Sequence, residues 1–311
     1  MIDFSKFDSL FSVMEHFTTD SVCRKAIAQS RWADGDVVCP YCGGHHCHLC
    51  KDSRYLCREC NHKFNVTVGT IFENTKTSLR KWFIAMYLIS SHKKGVSSHQ
   101  IARDCKVTQK TAWFMLQKIR ILFAQDDSVA LDGEIEVDEM YLGGREINKH
   151  ESKRTAGTQG RSTKTKTPIF GMVEREKGKA VVIKVEDTKA NTLMPIIKQF
   201  VKDNAHIFTD ELTSYNGLSK EGYIHDVIQH GLRHFSDGNG VTTNSIEGFW
   251  GHFKRMMFGM YHSVSRTYLQ RYIDEAVYRW NTRKADESER FADMFHKSIG
   301  VISYVYVRNV A

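Results

Sequence analysis

Three acidic side chains lie far apart along this chain, each beside an apolar segment that predicts regular structure. Asp138 falls within residues 133–144, an apolar and β-branched run closed by two glycines, which predicts a strand buried on at least one face. Asp210 ends a shorter strand-like run, and Glu247 belongs to residues 242–257, whose apolar stripe has helical spacing. Because strand ends and helices can meet at one edge of a sheet, we expect the three acids to converge.

Alternation along the first strand separates its acids from its apolar side chains. Glu134, Glu136 and Asp138 point to the face opposite Ile135 and Val137. An apolar sheet has no obvious need of carboxylates there, so they meet either water or a cation. Taken singly, each is most simply a surface residue, and the prediction of a site therefore rests on the set.

Converging carboxylates favour metal-dependent chemistry, because they repel one another unless a proton or a cation lies between them. Enzymes that cut phosphodiesters often use two Mg²⁺ ions about 3.5–4 Å apart, held by carboxylates, water and phosphate. We therefore expect Asp138, Asp210 and Glu247 to hold two Mg²⁺ or Mn²⁺ ions. Lys254 shares a helix face with Glu247 and is expected to bind a DNA phosphate, with Arg255 beside it as a further DNA contact.

A second metal site is indicated by the cysteines, six of which crowd into residues 39–60. Two C-x-x-C pairs separated by fourteen residues can complete a tetrahedral Zn²⁺ site, and four thiolates leave no open position for catalysis. The predicted ligands of this structural zinc are Cys39, Cys42, Cys57 and Cys60. A third pair, Cys47 and Cys50, lies where a zinc ribbon's hairpin would loop out, and a redox or second-metal role for it stays open.

A helix-turn-helix pattern follows the ribbon at residues 96–123. Ser97 or Ser98 caps a short helix, Lys106 begins a turn, and Thr108 caps a longer helix. The residues predicted to contact DNA from the start of that second helix are Gln109, Lys110, Thr111 and Trp113. The alternative is a helical hairpin that serves only as a spacer.

Composition agrees with a DNA-binding protein of the cytosol. The chain of 311 residues has a formal charge of +8 and a pI of about 9.0, which favours a polyanionic partner. It shows neither a signal peptide nor a run long enough to span a membrane. We therefore expect a cytoplasmic, nucleoid-associated protein without a membrane partner.

The order of predicted elements, β-β-β-α-β, indicates an α/β (α+β) fold with a mixed sheet backed by helices. Within it, residues 145–167 carry seven basic and two acidic residues and are expected to form a mobile loop that could contact phosphates. The last predicted helix covers residues 267–281. The predicted domains are an N-terminal helical segment at 1–30, a zinc ribbon at 31–75, a helix-turn-helix region at 76–127 and a catalytic domain at 128–300.

Eight sequence blocks occur in one order over about residues 10–295. They are Cys39-Pro-Tyr-Cys42, Cys57-Arg-Glu-Cys60, Val68-Gly-Thr-Ile-Phe72, Leu79-Arg-Lys-Trp82, Lys110-Thr-Ala-Trp113, Val137-Asp-Glu-Met-Tyr-Leu-Gly-Gly144, Thr243-Asn-Ser-Ile-Glu-Gly-Phe-Trp250 and Arg279-Trp-Asn281. With these blocks the chain resembles the zinc-ribbon branch of prokaryotic DDE insertion-sequence transposases, of the DDE-Lys type.

This resemblance implies an RNase H-like catalytic domain, binding to terminal inverted repeats and target double-stranded DNA, and Mg²⁺-dependent cleavage and strand transfer. It also implies a homo-oligomer assembled on DNA. The family's three acids fall on Asp138, Asp210 and Glu247, and its basic residue falls on Lys254. Asn244 is the alternative for the third position.

Two other functions fit the same residues. One is a DNA-binding regulator, or a domesticated transposase, that uses the ribbon and the helix-turn-helix without catalysis. The other is a metal-dependent nuclease without strand transfer, because water and a 3′-hydroxyl are both competent nucleophiles at the same pair of ions.

Overall fold

The computed structural model describes residues 2–126, 128, 130–144, 148–156, 158, 162–228 and 243–300. In chain order, the helices are α1 (Leu10–His16), α2 (Asp20–Arg31), α3 (Leu79–Ser91), α4 (Ser98–Asp104), α5 (Gln109–Arg120), α6 (Ala190–Phe200), α7 (Asn244–Met256), α8 (Leu269–Asn281) and α9 (Glu287–Ser298). The strands are β1 (Cys47–Leu49), β2 (Tyr55–Cys57), β3 (Lys63–Phe64), β4 (Glu134–Leu142), β5 (Thr167–Glu174), β6 (Ala180–Lys184), β7 (His206–Thr209) and β8 (Ile224–Val227).

The chain divides into two compact units. The first unit contains Met1–Leu122 and Thr282–Ala311, and the second contains Phe123–Asn281. Within the described part of the chain, no helix has the length and apolar character needed to cross a membrane. Of the basic loop predicted at 145–167, residues 145–147, 157 and 159–161 lie outside the described residues, so its predicted mobility stays a prediction.

The ribbon of the first unit is a small antiparallel sheet in the order β1-β2-β3. Aromatic rings pack against it: the rings of Tyr55 and Phe64 stack with centroids 5.6 Å apart, and Trp32 meets Tyr55 edge-on at 5.0 Å. Strands of only two or three residues give the sheet little core of its own.

The predicted helix-turn-helix is confirmed as α4 and α5. Ser97 accepts a hydrogen bond from the N–H of Gln100 at 3.1 Å, and Thr108 accepts one from the N–H of Thr111 at 3.2 Å, so each helix has a side-chain cap. Lys106 turns the chain between them with φ of 47°, in the left-handed region.

Helix α9 was not predicted, and it packs in the first unit although the sequence-based boundary placed residues up to 300 with the catalytic domain. Phe295 meets Phe83 of α3 edge-on at 5.3 Å, and Phe291 lies 5.7 Å from Phe7. These rings are buried with Phe17, so α9 supplies part of the aromatic core of the first unit.

The second unit is built on a five-stranded mixed sheet in the order β6-β5-β4-β7-β8. β4, β5 and β6 are antiparallel neighbours, whereas β7 and β8 run parallel to β4. Helix α6 packs on the face of Ile135 and Val137, while α7 and α8 cover the other face. The fold class predicted from the sequence is confirmed, with β8 as a strand that the sequence did not predict.

Side-chain amides cover the outer edge of β6. Gln125 accepts from the N–H of Val182 at 2.9 Å and donates to its carbonyl at 2.6 Å. Asn281 does the same at Ala180, with distances of 2.8 and 3.0 Å, and Gln270 accepts from the N–H of Lys184 at 2.8 Å. The edge is therefore satisfied within the chain, which prevents pairing with another strand.

Candidate active site and metal centres

The four predicted zinc ligands meet at the ribbon. The Sγ atoms of Cys39, Cys42, Cys57 and Cys60 all lie within 4.8 Å of one another. Cys39 and Cys60 have sulfurs 3.7 Å apart, and those of Cys42 and Cys57 are 3.6 Å apart. A tetrahedral zinc with Zn–S bonds of about 2.3 Å requires S···S separations of about 3.8 Å. The cluster therefore fits a structural Zn²⁺ ion.

The intervening cysteines do not join this group. Cys47 lies on β1, in register with Cys57, rather than in the hairpin turn as predicted, and its thiol donates to the carbonyl of Gly44 at 3.7 Å. Burial, followed by the nearby thiols of Cys57 and Cys39, raises the pKa of Cys47 to about 12. Cys50 lies in the hairpin turn, where its N–H donates to the carbonyl of Arg54 at 2.7 Å.

The register of the sheet brings the first two acids together. Glu136 of β4 pairs with Phe208 of β7, so two residues further along, Asp138 and Asp210 come opposite each other. β7 ends at Thr209, which leaves this side of β4 open where the acids lie. Two acids that are distant in the sequence therefore lie side by side at one edge of β4.

A third carboxylate belongs to this cluster, and the sequence did not predict it. Glu139 offers an oxygen within 4.8 Å of oxygens from Asp138 and Asp210. It is 8% exposed, and the hydroxyl of Tyr215 donates to its Oε2 at 2.9 Å. Burial, and next the charge of Glu139, raises the pKa of Tyr215 well above its ordinary value, so the hydroxyl stays a donor. Strict alternation along β4 places Glu139 on the face that α6 covers, so it was not predicted as a metal ligand.

The surroundings of Asp138 disfavour its ionised form. Burial, together with the charges of Asp210 and Glu247, raises its pKa to about 6 against the lowering effect of two hydrogen bonds. Those bonds come from the N–H of Glu139 at 2.8 Å and the indole N–H of Trp250 at 2.9 Å. A cation placed among the acids would relieve both the burial and the repulsion.

Gly171 makes room for that indole. It lies opposite Asp138 in the β4–β5 ladder. A Cβ added to Gly171 would stand 2.8 Å from the ring of Trp250, closer than side chains tolerate. The absence of a side chain at Gly171 therefore lets the ring of Trp250 approach β5 and reach the carboxylate of Asp138.

Glu247, the third predicted acid, lies on α7 and is exposed. It is not part of the compact cluster of three carboxylates among the described residues, although its charge contributes to the raised pKa of Asp138. Lys254 and Arg255 are exposed near the end of the same helix, and Asn244 is exposed at its beginning. The roles of Glu247, Asn244, Lys254 and Arg255 stay predictions.

The predicted DNA-contacting residues lie at the start of α5. Gln109 and Lys110 are exposed, and Thr111 and Trp113 are half-buried. Phe114, 47% exposed and one turn after Lys110, was not predicted. An apolar ring on the same helix face as Lys110 could have been recognised in the sequence as a candidate DNA contact, because thymine methyl groups offer an apolar contact in the major groove.

Two family descriptions match this chain. The ISXO2-like transposase domain matches residues 130–281, which fall within the second unit. The transposase zinc-ribbon domain matches residues 18–63, within the first unit, and includes the four clustered cysteines.

Two relatives come from mobile elements or resemble their proteins. An uncharacterized protein in transposable element ISH50 of Halobacterium salinarum is 28% identical over 273 residues, which are 83% of this chain and 89% of that protein. An uncharacterized transposase-like protein of Haemophilus influenzae is 30% identical over 105 residues, 34% of this chain and 83% of its own length.

Proposed function

The chain belongs to the IS1595-type zinc-ribbon transposases, and from that premise we propose that it binds the ends of its insertion sequence and catalyses Mg²⁺-dependent DNA cleavage and strand transfer. The observation that carries this proposal is the convergence of Asp138, Glu139 and Asp210 at one edge of the sheet. A DNA-binding regulator without catalysis has no need to gather three carboxylates at such electrostatic cost.

The residues present fit Mg²⁺. Oxygens from three carboxylates lie within 4.8 Å of one another, and hard oxygen ligands of this kind are those that Mg²⁺ prefers. Asp138 and Asp210 would hold the ions together with Glu247, and Glu139 is a further candidate ligand. When bound, Mg²⁺ activates the attacking oxygen and stabilises the leaving oxygen during in-line displacement at phosphorus.

The chain's own groups orient these carboxylates. Trp250 donates to Oδ2 of Asp138 and the N–H of Leu212 donates to Oδ1 of Asp210 at 2.9 Å, while Tyr215 donates to Glu139. Each donor leaves its carboxylate another oxygen or lone pair for a cation. Lys254 would bind a phosphate of the DNA strand from α7, two turns after Glu247.

We assign DNA binding to α5. Gln109 and Lys110 lie exposed at the N-terminus of a helix whose preceding turn and cap match a recognition helix. The zinc ion would stabilise the ribbon, because so small a sheet has little core of its own.

A cleavage assay on DNA that carries the element's own terminal repeat, with Mg²⁺, tests this proposal. We expect Asp138→Ala and Asp210→Ala each to reduce nicking on the order of 1,000-fold while end binding is retained. Variants that nick at the wild-type rate would contradict it. Including a target plasmid separates the alternatives: joined products support strand transfer, whereas hydrolysed ends alone indicate a nuclease.

A further inference from the structure

Glu136 is a buried acid in the middle of β4. It lies two residues before Asp138 on the same face of the strand and is 1% exposed. A carboxylate in such a place is costly unless its oxygens are paired. Both of them are paired here, and each oxygen serves a different element.

One oxygen caps the helix that carries Glu247. The backbone N–H groups of Ser245 and Ile246 donate to Oε2 of Glu136 at 2.7 and 2.9 Å. The N-cap residue of α7, Thr243, makes no side-chain capping bond. The sheet therefore supplies the cap, and its negative charge is favourable at the positive end of the helix dipole.

The other oxygen pairs with Arg175, the residue after β5. The Nε of Arg175 lies 2.8 Å from Oε1 of Glu136, and its guanidinium carbon lies 3.9 Å from the ring centroid of Phe208 on β7. Nη1 of the same arginine also meets the exposed Glu134 at 3.0 Å. Glu136 and Arg175 together thus tie α7 to three strands.

We propose that the Glu136–Arg175 pair positions Glu247 relative to Asp138, and so sets the spacing of the metal ligands. Glu247 directly follows the capped Ile246, and Asp138 lies two residues after Glu136, so the cap joins α7 to β4 close to both acids. This inference rests on the proposed function, because it assumes that Glu247 shares ions with Asp138 and Asp210.

The variant that tests it is Glu136→Gln. With its oxygen accepting from the α7 N–H groups, the amide nitrogen faces the Nε–H of Arg175, donor against donor, so one of the two contacts breaks. We expect the Mn²⁺ affinity of the zinc-loaded protein bound to end DNA to fall about tenfold, measured from free Mn²⁺ by electron paramagnetic resonance. Glu134→Gln is the matched control, since it removes a carboxylate charge beside the same arginine without touching α7, and should retain wild-type affinity.

Testing Glu136→Gln in a protein that already carries Glu247→Gln distinguishes a positioning role from a general structural role. A residue that acts through Glu247 has no effect once Glu247→Gln has removed that carboxylate, so the double variant should bind Mn²⁺ as weakly as Glu247→Gln alone. Should Glu136→Gln melt below the assay temperature, Arg175→Lys keeps a cation beside the buried acid. It should show a smaller loss of affinity, and again none in the Glu247→Gln background.

Three results would overturn the inference: wild-type Mn²⁺ affinity in Glu136→Gln, an equal loss in Glu134→Gln, or an undiminished loss in the Glu247→Gln background. If any of these results is obtained and the wild-type protein still cleaves end DNA with Mg²⁺, only the inference fails and the proposed function is retained. Wild-type protein that neither binds Mn²⁺ with end DNA nor cleaves it refutes the proposed function, and the inference falls with it.

Discussion

Trp250 determines how Asp138 presents its carboxylate. Its indole lies over Gly171 and donates to Oδ2, while the N–H of Glu139 occupies Oδ1. A carboxylate held at both oxygens has one orientation, and outer partners of this kind usually matter for metal affinity nearly as much as the ligands. Trp250 is thus part of the site although its ring belongs to the hydrophobic face of α7.

Removing that hydrogen bond should impair the site without removing a ligand. We expect Trp250→Phe to reduce Mg²⁺-dependent cleavage about tenfold, because Asp138 loses a fixed orientation and the donor that lowers its pKa. Trp280→Phe is the control, since the indole of Trp280 donates instead to the carbonyl of Gly178 at 2.9 Å. Equal rates for Trp250→Phe and the wild type would show that the indole only fills space.

The repulsion between Asp138 and Asp210 should be visible as a pH-dependent loss of stability. Burial and then the charge of Asp210 raise the pKa of Asp138 from 3.8 to about 6, so ionised Asp138 destabilises the folded protein above about pH 6 and the cost disappears below about pH 4. Asp210→Asn keeps an oxygen for the N–H of Leu212 and removes the charge. In chelator at pH 7.5, we expect it to raise the free energy of unfolding on the order of 1 kcal/mol.

The measurement is chemical denaturation of both proteins between pH 4 and 8, with and without Mg²⁺. The gain should shrink as the pH falls through 6 toward 4, and Mg²⁺ should stabilise the wild type more than the variant. A gain that is constant over this pH range, or equal stabilisation by Mg²⁺, would be inconsistent with two carboxylates that repel each other and share a cation.

For individual residues, the sequence predicted which side chains form the site better than it predicted the contacts that those side chains make. Asp138 and Asp210 could be found because acids next to apolar runs have no role in packing. Glu139 was missed because alternation alone assigned it to the opposite face, whereas its carboxylate oxygen lies within 4.8 Å of oxygens from Asp138 and Asp210. The cap of α7 comes from Glu136, more than a hundred residues away, and local spacing cannot show such a contact.

Among the secondary-structure elements, β6 depends on side chains that are not strand neighbours. Gln125 pairs with both backbone groups of Val182, a residue that is fully buried. We expect Gln125→Met, which conserves volume, to lower the free energy of unfolding of the second unit by about 2 kcal/mol, since both groups lose a partner. Gln199→Met on the exposed side of α6 is the control. Unchanged hydrogen exchange at the Val182 amide would rule out this role for Gln125.

The ribbon makes a sharper test, because its sheet has so little apolar core. We expect one zinc per chain, and Cys57→Ser should lose it and unfold the ribbon, as should a strong chelator. Cys47→Ser is the matched control: its thiol lies in register with Cys57 but outside the cluster, so zinc content should stay at wild type. Loss of zinc in Cys47→Ser would place that cysteine among the ligands.

Helices and strands with a clear hydrophobic periodicity were predicted, whereas two less regular elements were missed. The strand β4, the two helices of the helix-turn-helix and the stripe of α7 follow from spacing and capping residues. β8 was missed, being four residues long with two polar side chains. Helix α9 was missed although it carries a signal, because Asp286 and Glu289 form a capping box in front of buried Phe291, Met294 and Phe295.

On the scale of the whole molecule, the chain crosses between its two units twice. It leaves the first unit after Leu122 and re-enters it at Thr282. Because Phe291 and Phe295 of α9 belong to the aromatic core of the first unit, that unit is completed only by the last part of the chain. No sequence pattern predicts a contact between residues so far apart, so the predicted boundary at residue 300 could not take it into account.

If acids from β4, the end of β7 and α7 hold the same ions, Fe²⁺ should bind among them in place of Mg²⁺. With added hydrogen peroxide and ascorbate, the bound Fe²⁺ reduces the peroxide to hydroxyl radicals, which cut the nearby backbone and so map the ion site. We expect cuts close to Asp138, Asp210 and Glu247, all suppressed by excess Mg²⁺ and absent in Asp210→Ala. Cuts that miss any of these three positions in the wild type, or that persist unchanged in Asp210→Ala, would contradict a shared ion site.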